Sequence, residues 1–361
     1  MAAMLRQSLV AYGAPLCETI VPVPEPTGTE VLVRISRCGV CHSDLHIQDG
    51  HFDMGGGRKL DVSAGRALPF TLGHEIAGTI EAVGPQAGDA VLGRAVAVYP
   101  WIGCGACAAC QQGDENICAA PRHLGTSVDG GFATHVLVPH PRYLLDYAPL
   151  APALAAAMMC SGLTAYSALR KLERQAERGP ILLIGAGGVG LMGLAIAQAL
   201  FERPPLVADI DPAKRDAALA AGAAAAFDPA DPGARKAVLA ASGGIAGVCD
   251  FVGTEASLGF ATGVVAKGGK VVVVGLIGGA ITLPVPLLPL KAMALEGSFV
   301  GTLAEAQAVL DLARSGRMPA IPIRERPLVA AQQALDDLRQ GRVVGRTVLA
   351  PETESGQQVT A

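Results

Sequence analysis

Four cysteines fall close together in the segment GCGACAACQQGDENICAA. They are Cys104, Cys107, Cys110 and Cys118, with the spacing C-x2-C-x2-C-x7-C. Four thiolates in one short loop suit a closed, tetrahedral zinc site, and the small residues between them let the backbone curl so that the sulfurs converge. An iron–sulfur cluster is the chemical alternative. Because no proline follows the last cysteine and no second cysteine group accompanies it, the spacing favours structural zinc.

Further candidate ligands are scattered along the chain, as expected of a site that folding assembles. Cys41 begins the segment CHSDLH, His74 lies in LGHE, and Cys160 lies in MCSGLT. Two thiolates and one imidazole leave the fourth position of a tetrahedral zinc open for water or substrate. Each residue taken alone also has an ordinary structural interpretation, because buried cysteines and satisfied core histidines are common. Spacing does not choose between these interpretations.

A glycine-rich turn, GAGGVG over 185–190, separates two segments of different character. The apolar run Ile181–Ile184 predicts a buried strand, the small-residue segment 188–200 predicts a helix, and a second apolar run ends at Asp209. Strand, G-x-G-x-x-G, helix, strand and acid, in that order, form the dinucleotide-binding pattern.

Within this turn each glycine has an expected purpose. Gly185 permits the tight turn, Gly187 lets backbone N–H groups approach a diphosphate, and Gly190 lets the helix pack closely on the strand. The diphosphate is then expected at the positive N-terminus of the helix, beside Gly188.

Asp209 indicates which dinucleotide would bind. A carboxylate there can accept both hydroxyls of the adenosine ribose and would repel a 2′-phosphate, which favours NAD over NADP. Asp211 is predicted to cap a helix that begins at Pro212. Lys214 follows in the first turn, where it could reach the ribose or remain solvated.

We expect the strands and helices that position these residues to form two domains. The chain has 361 residues, of which 51% are hydrophobic and 4% aromatic, which is long for one core and makes disorder improbable. A net charge of −4 without a basic cluster argues against nucleic acid and anionic membranes as partners.

Composition also bears on the compartment. No apolar run of membrane-spanning length stands clear of Gly and Pro, and the N-terminal residues lack the apolar region and cleavage site of a signal peptide. We therefore expect a cytoplasmic protein, in which the nine cysteines serve metal or redox chemistry before disulfides.

The pattern of secondary structure changes near residue 154. Before it, β-like runs such as 30–36, 76–83, 94–99 and 134–138 predict an all-β, barrel-like domain. After it, a helical stretch (154–172) leads into alternating strands and helices, which predict a doubly wound parallel sheet. The predicted strands lie near 181–185, 205–209, 224–227, 248–252, 270–275 and 296–300. Two helices (304–315 and 330–339) and a last strand (346–349) follow, and the tail PETESGQQVTA is predicted to be disordered.

The chain resembles the zinc-dependent, medium-chain alcohol dehydrogenases over essentially residues 5–350. Five motifs and their arrangement carry the resemblance: the cysteine loop, CGVCHSDLH, GHEIAG, CSGLTAY and GAGGVG. The resemblance implies an α/β fold with a GroES-like β-barrel catalytic domain (1–155 and 303–361) and a Rossmann NAD-binding domain (156–302). It implies an oxidoreductase that moves a hydride between an alcohol and NAD, with two zinc ions per chain.

The resemblance also assigns roles around the metal. It makes Cys41, His74 and Cys160 ligands of a catalytic zinc and the four-cysteine loop structural. Glu75 matches a carboxylate near the zinc, and Asp44 matches a carboxylate that orients a ligand. Cys38, Cys17 and Cys249 fall outside the motifs and are expected to be ordinary thiols.

Other implied roles concern protons and coenzyme. Ser43 is expected to pass the released proton, through the nicotinamide ribose, to His46 at the solvent side. His42 and Arg346 are expected beside the coenzyme diphosphate, although a solvated arginine is an alternative for Arg346. Residues expected near the nicotinamide are Val189 and the strand end Val274–Leu276.

One stretch departs from the family. Between His46 and His74 the chain is about ten residues longer than the family leads us to expect, and the extra Gly-rich segment GGGRKLDVSAG is expected near the substrate entrance. It could reshape specificity or be an inert surface loop. His51, Phe52 and Trp101 are candidate walls of a mostly apolar pocket. The absence of a long segment after the cysteine loop points to a homotetramer, with a dimer also open.

Two other functions stay open at this point. One is a zinc-free reductase of conjugated double bonds on the same fold, and the other is a non-catalytic NAD-binding protein that keeps only the structural zinc. The combination of Cys41, His74 and Cys160 argues against the first, and the pair Ser43 and His46 argues against the second. The sequence does not identify the substrate, which would be a small alcohol or carbonyl compound.

Overall fold

The computed structural model describes residues 2–88 and 90–351. The strands are β1 (Ala3–Leu9), β2 (Cys17–Pro22), β3 (Val31–Gly39), β4 (His51–Asp53), β5 (Lys59–Asp61), β6 (Phe70–Thr71), β7 (Glu75–Val83), β8 (Ala95–Val98), β9 (His135–Val138), β10 (Leu144–Leu145), β11 (Ile181–Ile184), β12 (Leu206–Ala208), β13 (Ala225–Phe227), β14 (Ile245–Asp250), β15 (Val265–Val273), β16 (Ala294–Gly297), β17 (Ile323–Pro327) and β18 (Arg346–Ala350).

The helices connect and cover these strands. They are α1 (His42–Asp49), α2 (Ala108–Gln111), α3 (Pro152–Ala157), α4 (Leu163–Arg170), α5 (Glu173–Arg178), α6 (Gly188–Leu200), α7 (Pro212–Ala220), α8 (Ala234–Ser242), α9 (Glu255–Val264), α10 (Leu287–Lys291), α11 (Leu303–Arg314) and α12 (Ala331–Arg339).

The second half of the chain forms the predicted parallel sheet. In the described residues its strand order is β13-β12-β11-β14-β15-β16, with every pairing parallel. All four residues of β11 are buried, as its uninterrupted apolar run requires in a sheet covered on both faces. The order reverses between β11 and β14, and such a switch point is where open α/β sheets bind ligands, outside the carboxyl ends of their strands.

Strand boundaries differ from prediction where tertiary pairing extends them. β15 begins at Val265, earlier than the predicted residue 270, because Val265 pairs with Ile245 of β14 before a shift in register. By contrast, α6 has the predicted bounds. Asp211 caps α7 as predicted, because its Oδ1 accepts a 2.9 Å hydrogen bond from the N–H of Ala213.

The first half forms the predicted β-rich unit. The larger sheet runs β10-β8-β7-β3-β18-β17, and β9 also pairs with β3, while β2-β1-β6 form a smaller sheet. The C-terminal strand β18 lies antiparallel to β3, with Leu349 opposite Cys38. The end of the described chain therefore lies next to the segment that leads into Cys41.

Helices α3 and α4 are continuous with a π-helical turn, Met158–Gly162, that lies between them. π-bulges are uncommon and occur frequently at functional sites. The combined segment, Pro152–Arg170, is long and apolar enough to cross a membrane, but 78% of its apolar window is buried inside the protein, as in a core helix.

The extra segment between His46 and His74 forms a hairpin. β4 and β5 pair antiparallel, with Phe52 opposite Leu60. Its turn lies against the loop after β15, since a Cβ added to Gly55 would be 2.5 Å from the amide nitrogen of Ala280. The hairpin therefore contacts the parallel-sheet unit. The predicted disorder of the C-terminal tail (351–361) concerns residues that, apart from Pro351, lie outside the described part of the chain.

Candidate active site

Folding brings three scattered residues to one buried point. Cys41 is the N-cap of α1, His74 immediately precedes β7, and Cys160 lies in the π-helical turn. The two sulfurs are 3.9 Å apart, and one ligand atom from each residue and from Glu75 lies within 4.8 Å of the others. All four residues are buried.

The donor set fits a zinc ion. Nε2 of His74 has no hydrogen-bond partner among the described residues, although the ring is fully buried. A buried donor set of two sulfurs and one imidazole is that of a catalytic zinc site with one open position. A hydrogen bond from Cys160 and the nearby His74 hold the pKa of Cys41 well below its usual value despite burial, so Cys41 has the thiolate character of a metal ligand.

Asp44 connects two of these segments. Its Oδ2 accepts a 2.9 Å hydrogen bond from the backbone N–H of Cys41, and its Oδ1 accepts one of 3.2 Å from Gly73. The same Oδ1 lies 3.3 Å from Nδ1 of His74. One buried carboxylate therefore fixes both the helix that begins at Cys41 and the orientation of the His74 ring.

Glu75 faces Arg346 behind the cluster. The two side chains form an ion pair and are 0% and 4% exposed, and Arg346 also donates a 2.9 Å hydrogen bond to the carbonyl of Val40. Burial raises the pKa of Glu75 to about 7, against the opposing charge of Arg346. The expectation that Arg346 contacts a diphosphate stays a prediction.

Ser43 and His46 lie one turn apart on α1, the separation at which helical side chains are neighbours. The Ser43 hydroxyl is 3.8 Å from the sulfur of Cys41. His46 stacks on Phe52, with ring centroids 4.5 Å apart, and its Nε2 has no partner in the described residues. Burial, followed by the charge of His42, lowers the pKa of His46. His46 is therefore neutral near pH 7 and able to accept a proton.

The four clustered cysteines also converge. In the described residues their ligand atoms lie within 4.8 Å of one another, with Cys107 and Cys110 sulfurs 3.5 Å apart. Backbone N–H groups of Ala106 and Cys107 lower the pKa of Cys104 to about 6. This set has four sulfur ligands and no open position, which suits a structural zinc.

The glycine turn has the geometry that a dinucleotide site needs. Gly185 has φ +92°, in the left-handed region, and a Cβ on Gly190 would lie 1.8 Å from the carbonyl oxygen of Gly185. A Cβ on Gly187 would meet nothing within 4 Å, so the surface there is open to a ligand. Gly188 packs against Arg346, whose Nη1 would be 2.8 Å from an added Cβ.

Asp209 sits at the end of β12, next to this turn. Its carboxylate accepts hydrogen bonds of 2.7 Å from the N–H of Ala186 and 2.9 Å from the N–H of Asp211. Lys214 lies 3.9 Å from Asp211, so the structure pairs it with the helix cap, and its contact with a ribose stays a prediction.

A cavity of about 830 Å³ opens at the carboxyl ends of β15 and β16. Val274 and Leu276, which were predicted near the nicotinamide, line it together with Asn116, Ser298 and Phe299. Val189 is half-buried at the start of α6, and His42 is exposed at the start of α1.

Trp101 lies beside the cluster of ligands. Its ring centroid is 5.2 Å from that of His74, and its Nε1 donates a 3.0 Å hydrogen bond to the carbonyl of Met159. His123 and Phe299 complete an aromatic group around it. Neither was predicted from the sequence, because no local motif marks either residue and only tertiary packing brings them to Trp101.

Comparison with known proteins agrees with this geometry. Residues 27–148 match the family described as alcohol dehydrogenase GroES-like domain, and residues 188–315 match the family described as zinc-binding dehydrogenase. An NAD-dependent alcohol dehydrogenase of Sulfurisphaera tokodaii is 36% identical over 96% of this chain and 100% of its own length. A D-arabinose 1-dehydrogenase (NADP(+)) of Saccharolobus solfataricus is 32% identical over 97% of both chains.

Solved structures agree as well. The alcohol dehydrogenase of Aeropyrum pernix has a TM-score of 0.86 and 28% identity, covering 96% of this chain and 100% of its own. The predicted fold class, a GroES-like unit combined with a Rossmann-like parallel sheet, is confirmed.

Proposed function

The chain belongs to the zinc-dependent, medium-chain alcohol dehydrogenase family, and from this premise we propose that it transfers a hydride reversibly between an alcohol and NAD, giving an aldehyde or ketone. The observation that carries the proposal is the buried convergence of Cys41, His74 and Cys160. Arg346 supports it further, because this one side chain reaches both the ion pair behind that cluster and the glycine turn at Gly188.

We assign a catalytic zinc to Cys41, His74 and Cys160, and a structural zinc to the loop of Cys104, Cys107, Cys110 and Cys118. When bound at the first site, zinc supplies a Lewis acid at the reacting oxygen. The cysteine sulfurs offset the charge of the metal, and Asp44 holds the His74 ring in one orientation through its contact with Nδ1. Glu75 and Arg346 close the site on its inner side and exclude water there.

The proton of the alcohol has a route along α1. Ser43 accepts it at Oγ next to Cys41, and His46 holds it at Nε2, one turn further along the helix. The support for this route is the spacing of the two residues on the helix and the neutral state of His46.

NAD supplies the hydride acceptor when bound. We assign its adenosine ribose to Asp209 and Lys214, and its diphosphate to the glycine turn (Gly185, Gly187, Gly188 and Gly190) with His42 and Arg346. We assign its nicotinamide to the surroundings of Val189, Val274 and Leu276. The open surface at Gly187 and the cavity at Val274 and Leu276 support this placement.

We further propose a homotetrameric, cytoplasmic enzyme, divided into a catalytic domain (1–155 and 303–361) and a coenzyme domain (156–302). Exposed apolar side chains between residues 277 and 295 support assembly, because such patches mark interaction surfaces. They include Ile277, Val285, Leu290 and Leu295. Free cysteines used for metals suit a reducing compartment. Light scattering after gel filtration tests the assembly.

The experiment that tests the function measures initial rates of NAD and NADP reduction with primary, secondary, cyclic and aromatic alcohols. We expect turnover with NAD, and metal analysis is expected to find two zinc ions per chain. Reduction of conjugated double bonds without alcohol turnover would favour the zinc-free reductase, and binding of NAD without any turnover would favour a non-catalytic protein.

A pair of variants separates the two zinc sites. Cys160→Ala is expected to lose one zinc and all turnover while it keeps the four-cysteine zinc and the fold. Cys249→Ala is the matched control, because Cys249 is a buried cysteine in β14 outside both clusters. It is expected to keep both zinc ions and full turnover. Equal losses in the two variants would contradict the assignment.

A further inference from the structure

Three buried polar atoms without a hydrogen-bond partner surround the Phe299 segment. They are Nε2 of His123, Oδ1 of Asn116 and Oγ of Ser298, and all three are unpartnered within the described residues. The residues are 5%, 9% and 8% exposed. Each of the three residues adjoins Phe299. A buried polar atom that stays unpaired is costly, so the three of them point to a ligand that pairs with them.

This group lies one side chain away from the metal ligands. Trp101 packs on His74, and His123 also packs on Trp101, at a centroid distance of 5.3 Å. Phe299 lies 6.0 Å from Trp101 and 6.3 Å from His123. One aromatic side chain, Trp101, therefore separates His123 and Phe299 from the candidate metal ligand His74.

Two of these three residues border the cavity at the nicotinamide side. Asn116 and Ser298 line the cavity of about 830 Å³, together with Phe299, Val274 and Leu276. These two residues therefore adjoin a space large enough for a substrate.

Existing hydrogen bonds determine what these atoms can recognise. Burial lowers the pKa of His123 to about 4, so the ring is neutral, and its unpartnered Nε2 can accept a hydrogen bond. Asn116 donates from Nδ2 to the carbonyl of Phe299 at 2.9 Å, so its free Oδ1 is also an acceptor. Ser298 can donate or accept. Two acceptors and one hydroxyl match a ligand with O–H donors.

We propose that His123, Asn116 and Ser298 bind a second hydroxyl group of the substrate, so that the enzyme acts on diols, polyols and hydroxy-carbonyl compounds in preference to simple alcohols. This inference rests on the proposed function and adds the substrate class. In the oxidation direction one carbinol loses a hydride to NAD⁺ and a proton to the medium, and the second hydroxyl stays unchanged. The products are a hydroxy-carbonyl compound, NADH and H⁺.

The kinetic test compares 2-butanol with 2,3-butanediol, which differ by one hydroxyl. We expect the wild-type kcat/KM to be at least about tenfold higher for the diol, because a simple alcohol leaves the buried acceptors unpaired. His123→Phe is expected to lower the ratio of the diol value to the 2-butanol value about tenfold. His135→Phe, the same change at a half-buried histidine in β9, is expected to leave both values unchanged.

Binding can be read without turnover, because Trp101 is the single tryptophan of the chain and packs directly on His123. In the absence of NAD, titration of the zinc-loaded protein with the diol is expected to change Trp101 fluorescence at lower concentration than titration with 2-butanol. His123→Phe is expected to remove this difference. If that variant does not fold, Ser298→Ala replaces it, with an expected loss of about fivefold in kcat/KM for the diol alone.

The possible outcomes distinguish a failure of this inference from a failure of the proposed function. Turnover of 2-butanol without any preference for the diol overturns this inference and leaves the proposed function intact. Equal effects of His123→Phe on the two substrates also overturn the inference. Absence of turnover with every alcohol overturns the proposed function and the inference together.

Discussion

Arg346 and Glu75 form a buried ion pair although 271 positions separate them in the chain. Glu75 begins β7 next to His74, and Arg346 begins β18, the last strand of the described chain. The pair therefore ties the C-terminal strand to the candidate metal site.

Substitution of Arg346 tests how much this ion pair contributes to the free energy of unfolding. Arg346→Met leaves a buried carboxylate without its partner, which is expected to cost about 3–5 kcal/mol in the free energy of unfolding. The double variant Arg346→Met/Glu75→Gln is expected to be less destabilised than the sum of the single variants, because no charge is then left unpaired. Urea denaturation measures the free energy of unfolding of the single and double variants.

The control pair is Arg94 and Asp146, whose side chains are 50% and 48% exposed. Its loss is expected to cost less than about 1 kcal/mol, and an equal cost for both pairs would contradict the argument.

The four-cysteine loop is expected to lose its metal when one ligand is removed. Cys107→Ala leaves three sulfurs, so metal analysis is expected to fall from two zinc ions per chain to one, and the thermal midpoint is expected to fall with it. Cys17→Ala changes an exposed cysteine outside both clusters and serves as the control. Two zinc ions retained in Cys107→Ala would show that the loop does not bind zinc through these four residues.

Substitutions of Asp209 and Asp211 are expected to affect coenzyme preference differently, although the two residues are only two positions apart. Asp209→Asn removes the negative charge that disfavours a 2′-phosphate, so the ratio of kcat/KM for NAD over NADP is expected to fall at least about tenfold. Asp211→Asn keeps a good cap for α7 and is expected to leave this ratio and the stability nearly unchanged. A preference for NADP in the wild-type enzyme would overturn the interpretation of Asp209.

The hairpin of β4 and β5 is expected to influence coenzyme binding through Gly55. Gly55 and Gly56 have φ values of +75° and +61°, so Ala costs a similar amount of backbone energy at either position. At Gly55 the new methyl group would also meet Ala280, whereas at Gly56 it would meet nothing within 4 Å. Gly55→Ala is therefore expected to raise KM for NAD several-fold relative to Gly56→Ala, because Ala280 belongs to the loop that follows Val274 and Leu276. Equal KM values would indicate an inert surface hairpin.

Acid stability is expected to depend on Asp337. Its carboxylate accepts hydrogen bonds from Arg342 and Arg326, the latter at 2.5 Å, and these partners lower its pKa to about 2. A lowered folded-state pKa stabilises the protein fully above the unfolded-state value of about 3.9. This contribution is lost as pH falls from about 4 to about 2. The difference in thermal midpoint between wild type and Asp337→Asn is expected to be constant from pH 7 to 5 and to shrink below pH 4. A difference that does not vary with pH would exclude this carboxylate as the cause.

Local sequence patterns determined a large part of the secondary structure and of the candidate sites. The strand, glycine turn and helix around residues 181–200 follow from apolar runs and glycine spacing, and the structure reproduces α6 with the predicted bounds. The four cysteines of one loop can converge because few residues separate them. In both cases neighbouring residues carry the information, so the sequence alone suffices. The family resemblance supplied what spacing left open, including the choice of Cys41, His74 and Cys160.

Tertiary structure decided the contacts between distant segments. It placed Arg346 against Glu75, made the extra segment a hairpin against Ala280, and gathered His123 and Phe299 around Trp101. None of these has a local signature, because each depends on how strands and loops far apart in the chain pack against one another. Spacing along a chain fixes geometry only within one element or one short loop, whereas the distance between separate elements is set by the packing of the whole fold.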